Sequence, residues 1–266
     1  MTAATFTSLA VAVGADGVAE LTLTRPDVMN RFDDLLHVEL TAAVQELRAN
    51  PDVRAVVLAS TGKVFSAGGD FDLMREANAD VATRLRIVDD GRRLLGALLD
   101  LPQPLVVALH GAAIGLGATV VLASDAVVAA RAATLADPHV ALGLVAGDGG
   151  CLVWPQAVGM LRARRHLLTG DPIDAERAYA MGLVTDLVDT PDDALPAARA
   201  LAGRMAALPP LAVQGTKRAL NRVTQQRAGE VVDLAFAHEE TTLASDDLLE
   251  AITAFQERRP GVFRGT

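Results

Sequence analysis

Two short segments place small residues where backbone N–H groups can do chemistry. One is Phe65-Ser66-Ala67-Gly68-Gly69-Asp70-Phe71; the other is His110-Gly111-Ala112-Ala113-Ile114-Gly115-Leu116-Gly117-Ala118. Each follows a run with the composition of a buried strand, and the second also opens a helical pattern. Small residues at strand ends let a ligand approach the backbone closely. A helix N-terminus adds unpaired N–H groups and a partial positive charge. Two such turns facing each other would hold a developing oxyanion. Glycine turns are also an ordinary way to reverse a chain, so spacing alone leaves both readings open.

The elements that must position these turns follow from periodicity. Val18 to Thr24 alternates apolar and polar and stops at Arg25-Pro26, a half-buried strand. Leu35, Leu36, Leu40, Val44 and Leu47 predict a helix over Asp33–Ala49, capped by Asp33 or Asp34. Val53–Ala59, Leu105–Leu109 and Ala126–Ala130 are short, nearly continuous apolar runs and read as buried strands. Ala79–Asp100 reads as a long helix and Gly115–Ala123 as a helix start. Ala175–Met181, Asp193–Ala207, Pro210–Val223 and Glu230–Arg258 read as helices, interrupted by a strand at Leu183–Val188. Strands alternating with helices and ending in a helical segment define an α/β protein. The expected division is a core over residues 1–200 and a C-terminal helical segment over 201–266, with Arg258–Thr266 as a flexible tail. No internal repeat, low-complexity tract or linker splits the chain.

Composition excludes several classes. The 266 residues are 51% hydrophobic but only 3% aromatic, so Ala, Val and Leu must do most of the packing. A net charge of -9 argues against nucleic-acid binding. Cys151 stands alone, which rules out a disulfide within the chain, suits a reducing, cytoplasmic compartment, and lacks the context of a nucleophile. Met1–Ala10 has no basic stretch before an apolar run, so no secretory signal is expected, and the apolar stretch Pro104–Ala123 is broken by His110, Gly111, Gly115 and Gly117, against a membrane span. No cluster has metal-ligand spacing, and no dinucleotide or phosphate-loop fingerprint is present.

Several segments together resemble the crotonases, the enoyl-CoA hydratase/isomerase superfamily. Arg25-Pro26-Asp27-Val28-Met29-Asn30 is similar to that family's first strand-to-helix turn, Phe65–Asp70 to its first oxyanion turn, and Pro104–Val121 to its second. Asp137-Pro138-His139 through Gly149-Gly150 resembles its active-site loop, followed by similar stretches at Gly170–Ala175 and Ala180–Val184. The resemblance runs in order along nearly the whole chain. It implies a spiral core of two β-sheets wrapped by helices, a C-terminal helical segment used in trimer packing, and assembly as a homotrimer or a dimer of trimers. It also implies an acyl-CoA thioester substrate, with coenzyme A arriving as part of that substrate and no permanently bound cofactor. The oxyanion donors would be the N–H groups of Gly69 and Leu116, the latter a departure from the glycine usual there. Ala67, Gly68, Asp70 and Phe71 would line the coenzyme A side.

The two glutamates of the family's hydratases fall here on Thr119 and His139, neither a carboxylate. Threonine has no useful pKa near neutrality, so Thr119 either hydrogen-bonds water or substrate or simply packs. His139 can carry a proton, and Asp148 on the same loop would raise its pKa and fix its tautomer. The plainer alternatives are a structural histidine and a turn or helix-cap aspartate. Asp137 is read first as a loop cap and second as part of the His139 network. The His139/Asp148 pair resembles that of the superfamily's β-diketone hydrolases of the 6-oxocamphor hydrolase type. Three functions follow from the resemblance. They are an acyl-CoA hydratase, isomerase or lyase using the pair, a CoA-independent C–C bond hydrolase of a cyclic β-diketone, and a non-catalytic acyl-CoA binder. Elsewhere, His110 reads as a core residue, His37 and His238 as helix-surface residues, and Trp154 as packing behind the loop. The basic run Arg162–His166 reads as a solvated helix face that, with Lys217 and Arg218, is a secondary candidate for the coenzyme A phosphates.

Overall fold

The computed structural model describes residues 6–266; the first five residues of the segment read above for a secretory signal lie outside the described residues. A six-stranded sheet is formed by β1 (Leu9–Val13), β2 (Val18–Leu23), β3 (Ala55–Ser60), β4 (Leu105–Leu109), β6 (Ala126–Ala130) and β9 (Asp186–Val188), in the order 1-2-3-4-6-9. Only β1 and β2 are antiparallel. A three-stranded sheet of β5 (Ala113–Ile114), β7 (Thr134–Ala136) and β8 (Ile173–Asp174) lies beside it in the order 5-7-8. The helices are α1 (Asp34–Ala49), α2 (Phe71–Ala79), α3 (Val81–Asp100), α4 (Leu116–Leu122), α5 (Gly150–Val158), α6 (Met160–Leu167), α7 (Ala175–Met181), α8 (Pro191–Ala206), α9 (Pro210–Leu243) and α10 (Asp246–Glu257).

The parallel strands are buried on both faces, which is why they read as continuous apolar runs rather than alternations. One face carries Val56, Leu58, Val107, Leu109 and Val127 into the main core, against Leu36, Leu40, Leu94, Leu98 and Trp154. The other carries Val57, Val106, Ala108 and Val128 against α8, whose stripe Ala194, Ala198, Ala202, Ala206 repeats every four residues. Small side chains there let the helix lie close to the sheet without aromatic filler.

Most elements fall where the sequence places them, and four differences have local causes. Phe71–Ala79 is a separate helix, ended and restarted by Asp80, whose carboxylate accepts from the Thr83 N–H at 2.8 Å. The helix expected to pause between Val223 and Glu230 runs unbroken from Pro210 to Leu243. Gly229 costs about 1 kcal/mol against alanine, but Ala228, Val231 and Val232 pack on the core and hold the helix through it. The break comes instead at Ser245, which caps α10 through the Leu248 N–H at 3.2 Å. The expected flexible tail is docked: Asp247 accepts from the N–H groups of Arg264 and Gly265, both at 2.8 Å, and Glu250 from that of Val262 at 3.0 Å. Among the described residues no helix is long and apolar enough to cross a membrane.

Candidate active site

β3 and β4 are adjacent and parallel, so the turns that follow them leave the same edge of the sheet. The first turn is fixed from beneath by Asn30, buried and in the left-handed region at φ 48°. Its amide donates to the carbonyls of Thr61 (2.9 Å) and Phe65 (3.2 Å) and accepts from the Arg25 N–H (2.9 Å). Ser66 Oγ donates to the Asn30 carbonyl at 2.7 Å and accepts from the Gly68 N–H at 3.2 Å. The second turn is stitched to the first through Phe65 N–H to Ala112 O (2.9 Å) and Ile114 N–H to Ser66 O (3.1 Å). Gly68, at φ 85°, sits where a Cβ would lie 2.7 Å from the Ile114 carbonyl oxygen, and a Cβ on Gly117 would lie 2.8 Å from the Ser66 Cβ. The glycines are therefore what allows the turns to touch.

Gly69 and Leu116 both line one deep cavity, together with His139, Asp148 and Glu239. Neither N–H donates to a protein acceptor among the described residues. Leu116 is the first residue of α4, where an unpaired N–H and the positive end of the helix dipole are expected. A second cavity adjoins it, lined by Ala67, Gly68, Phe71, Ile114, Ala141 and Phe255, with Gly69 and His139 shared between the two. Asp70 borders the deep cavity, but its carboxylate is committed: it caps α2 through Asp72 N–H (2.8 Å) and Leu73 N–H (3.1 Å) and pairs with Arg31 Nε at 2.5 Å.

The second turn also reaches the active-site loop, through Gly115 N–H to Ala136 O at 2.9 Å. There His139 is buried between two carboxylates. Its Nδ1 donates to Asp137 Oδ1 at 2.5 Å, and its Nε2 lies 3.4 Å from Asp148 Oδ2. Asp137, read first as a loop cap, is thus the closer partner of the ring, and Gly150 leaves the room: a Cβ there would lie 2.5 Å from Asp137 Oδ2. Asp148 Oδ1 accepts from Thr119 Oγ1 (3.1 Å) and Gly150 N–H (3.3 Å), so Thr119 holds the aspartate. Asp148 Oδ2 has no hydrogen-bond partner among the described residues. Burial alone would depress the His139 pKa, but the charges of Asp137 and Asp148 outweigh it and carry the ring up to about 10. Burial raises the Asp148 carboxyl, opposed by His139 and assisted by Asp137.

Two cavity residues escaped the sequence reading. His37 is buried, not a helix-surface residue; its Nδ1 contacts the Asp33 carbonyl at 2.9 Å, its ring meets that of Phe32 edge-on, and burial lowers its pKa against the opposing charges of Asp90 and Asp148. Glu239 comes from α9, 91 residues beyond Asp148, in a stretch whose charged pattern reads as helix surface. The signal available was the apolar spacing Val232, Ala235, Phe236, Leu243, which puts Glu239 on the buried stripe.

The other basic candidates line neither cavity. Lys217 is buried, donating to Asp125 Oδ2 at 2.6 Å and the Gln103 carbonyl at 2.8 Å. His166, expected on a solvated face, is buried against Trp154, with ring centroids 6.2 Å apart. His110 is half-buried with Nε2 3.0 Å from the Gly62 carbonyl, and His238 is exposed as expected. Trp154 is fully buried behind the loop. Burial pushes the Cys151 thiol up to about 11, which keeps it protonated at neutral pH.

Two sheets wrapped by helices give this chain the fold of the crotonase superfamily. Residues 14–266 match the sequence model of the enoyl-CoA hydratase/isomerase family, and the chain belongs to that family. It is 30% identical to the 1,2-epoxyphenylacetyl-CoA isomerase of Escherichia coli, over 94% of this chain and 95% of that one. It is also 30% identical to the short-chain-enoyl-CoA hydratase of Clostridium acetobutylicum, over 91% and 92%. A crystal structure of an enoyl-CoA hydratase/isomerase from Mycobacterium paratuberculosis superposes with a TM-score of 0.88 at 38% identity, covering 92% of this chain and 97% of that one.

Proposed function

We propose that this protein acts on acyl-CoA thioesters by forming an enolate whose oxygen is held between the N–H groups of Gly69 and Leu116. The observation that carries the reading is that Gly69 and Leu116, whose N–H groups find no protein acceptor among the described residues, both line the cavity that holds Asp148 and His139. Preorganised donors of this kind stabilise charge as it develops and need no reorganisation during the reaction. The outer cavity, lined by Ala67, Gly68 and Phe71, receives the pantetheine end, and coenzyme A enters as part of the substrate, with no resident cofactor. Assembly as a trimer or a pair of trimers in the cytoplasm belongs to the same reading.

The roles within the acid/base cluster shift from the simplest expectation. Both ring nitrogens of His139 face carboxylates and its pKa lies well above neutrality, so the ring is a cation at pH 7 and has no free lone pair. Asp148 is the better base: it lines the cavity, as Asp137 does not, its Oδ2 makes no hydrogen bond among the described residues and stands 3.4 Å from Nε2, and burial strengthens its affinity for a proton. His139 positions and charges it, Asp137 positions His139, and Thr119 holds the other oxygen. In this scheme Asp148 removes the Cα proton as the thioester oxygen takes up negative charge.

Calorimetric titration with acetoacetyl-CoA and with free coenzyme A tests the reading. Binding of acetoacetyl-CoA that survives in Asp148→Asn, while deuterium exchange at Cα of a bound thioester is lost, is the expected result. Absence of binding by either compound overturns it in favour of the CoA-independent β-diketone hydrolase, to be tested on bicyclic diketones. Binding without exchange in the wild type points to the non-catalytic binder.

A further inference from the structure

Glu239 has no part in the scheme above, yet it is buried in the same cavity. It is 9% exposed, and its Oε2 has no hydrogen-bond partner among the described residues. An unpaired polar group in such a place is costly and calls for a reason. Its place is built by the loop it faces. Gly147, the residue before Asp148, has no side chain, and a Cβ there would lie 2.6 Å from Glu239 Oε2 and from Glu239 Cβ. One turn further on, Thr242 Oγ1 accepts from the Val145 N–H at 3.2 Å, which ties α9 to the same loop. The cavity sets Glu239 among apolar residues such as Phe32, Val88, Leu144 and Phe236, with His37, His139 and Asp148 in the same lining.

Resting on the acyl-CoA reading, we propose that Glu239 is the second proton-transfer group of this site and that the reaction moves a carbon–carbon double bond along the acyl chain. Two carboxyl groups in one buried cavity do not both ionise readily, so one keeps its proton. Burial raises the Glu239 carboxyl, Asp148 adds to this and His139 opposes it, with the result at about 8. Asp148, held against the cationic His139, is the member that gives up its proton; Glu239 keeps its own. With a 3-enoyl thioester, Asp148 takes a proton from Cα and the C–H electrons pass into a dienolate whose oxygen lies between Gly69 and Leu116. The dienolate collapses: the thioester carbonyl re-forms, the double bond moves between Cα and Cβ, and Cγ takes the proton of Glu239. Asp148 then returns its proton to Glu239, and no atom is gained or lost.

The test uses 3-hexenoyl-CoA in D2O with the wild type and Glu239→Gln, following deuterium entry at Cα and conversion to the 2-enoyl thioester separately. Glutamine has the size and neutrality of a protonated glutamate, so folding and thioester affinity serve as the internal control. The expected result is Cα exchange within a few-fold of wild type and conversion lowered about 100-fold or more, the scale of a lost general acid. Conversion by Glu239→Gln at the wild-type rate overturns the proposal. So does a parallel loss of exchange and conversion, or a wild type that hydrates crotonyl-CoA but does not isomerise the 3-enoyl thioester. A wild type that neither exchanges nor converts any enoyl-CoA fails one step earlier, with Glu239 intact, and takes the acyl-CoA reading down with it.

Discussion

Asp137 Oδ1 lies 2.5 Å from Nδ1 of His139, while Asp148 stands 3.4 Å from the opposite ring nitrogen. The imidazole is therefore clamped, and the closer carboxylate is the one two residues away on its own loop. Replacing Asp137 by Asn removes the larger of the charges that oppose burial, so the ring loses much of what lifts it to about 10. An NMR titration of the His139 ring nitrogens should show its pKa falling in Asp137→Asn toward or below the ordinary range. The turnover number should fall about 10- to 100-fold through misplacement of Asp148, with thioester binding kept. A ring that stays fully protonated through pH 9 in this variant would mean that Asp137 is a loop cap and nothing more.

Asp148→Asn should be the more damaging change. It removes the carboxylate that both stands beside His139 and lines the cavity, and loss of a general base typically costs 100- to 10,000-fold. Because His139 keeps Asp137 as its partner, the loop should keep its shape, and acetoacetyl-CoA should still bind. Turnover within tenfold of wild type would shift the base to another group.

Much of this site was readable before any coordinates, for physical reasons. The oxyanion turns show in sequence because close backbone contact admits only small residues at Gly68 and Gly117. His139 and Asp148 show only through the resemblance to the crotonases, which places them on the active-site loop where the hydratases carry a glutamate. Glu239 did not, since a glutamate among charged neighbours on a helix reads as solvated until the partner surface is known. His37 and His166 failed the same way: their burial is set by Phe32 and Trp154, which come from elsewhere in the chain. The division of labour between Asp137 and Asp148 is a matter of side-chain distance, which spacing along the loop does not encode.

The oxyanion turn gives a prediction that is independent of the acid/base assignment. Gly68 has φ 85°, and a Cβ would press 2.7 Å from the Ile114 carbonyl oxygen, a backbone atom that cannot swing aside. Gly68→Ala should destabilise the fold by about 1–3 kcal/mol and pull the Gly69 N–H away from its aim. Chemical denaturation and single-turnover kinetics would check both. A variant of unchanged stability and unchanged turnover would show that the two turns are not held against each other as described.

The buried cluster also sets the dependence of stability on pH. Glu239 rises from an ordinary 4.5 to about 8 on folding, so between those values the folded chain holds a proton that the unfolded chain has released. His139 rises from 6.5 to about 10, with the same sign. More protons bound in the folded state means that stability falls as pH rises. The Glu239 contribution declines from about pH 4.5 to 8; that of His139 is whole below 6.5 and lost by about 10. The depressed carboxyls of Asp33 and Glu39 act oppositely only as pH falls below about 4.5, and His37, lowered by burial from 6.5, opposes the decline below that value, so the fall is steepest above about pH 6.5. Urea denaturation of the wild type should therefore show stability falling from pH 5 to 9. Glu239→Gln, which cannot ionise, should flatten the lower half of that decline and leave the upper half. A wild-type stability that is level or rising across pH 5–8 would mean that Glu239 ionises freely in the folded protein, and its role as a held proton would go with it.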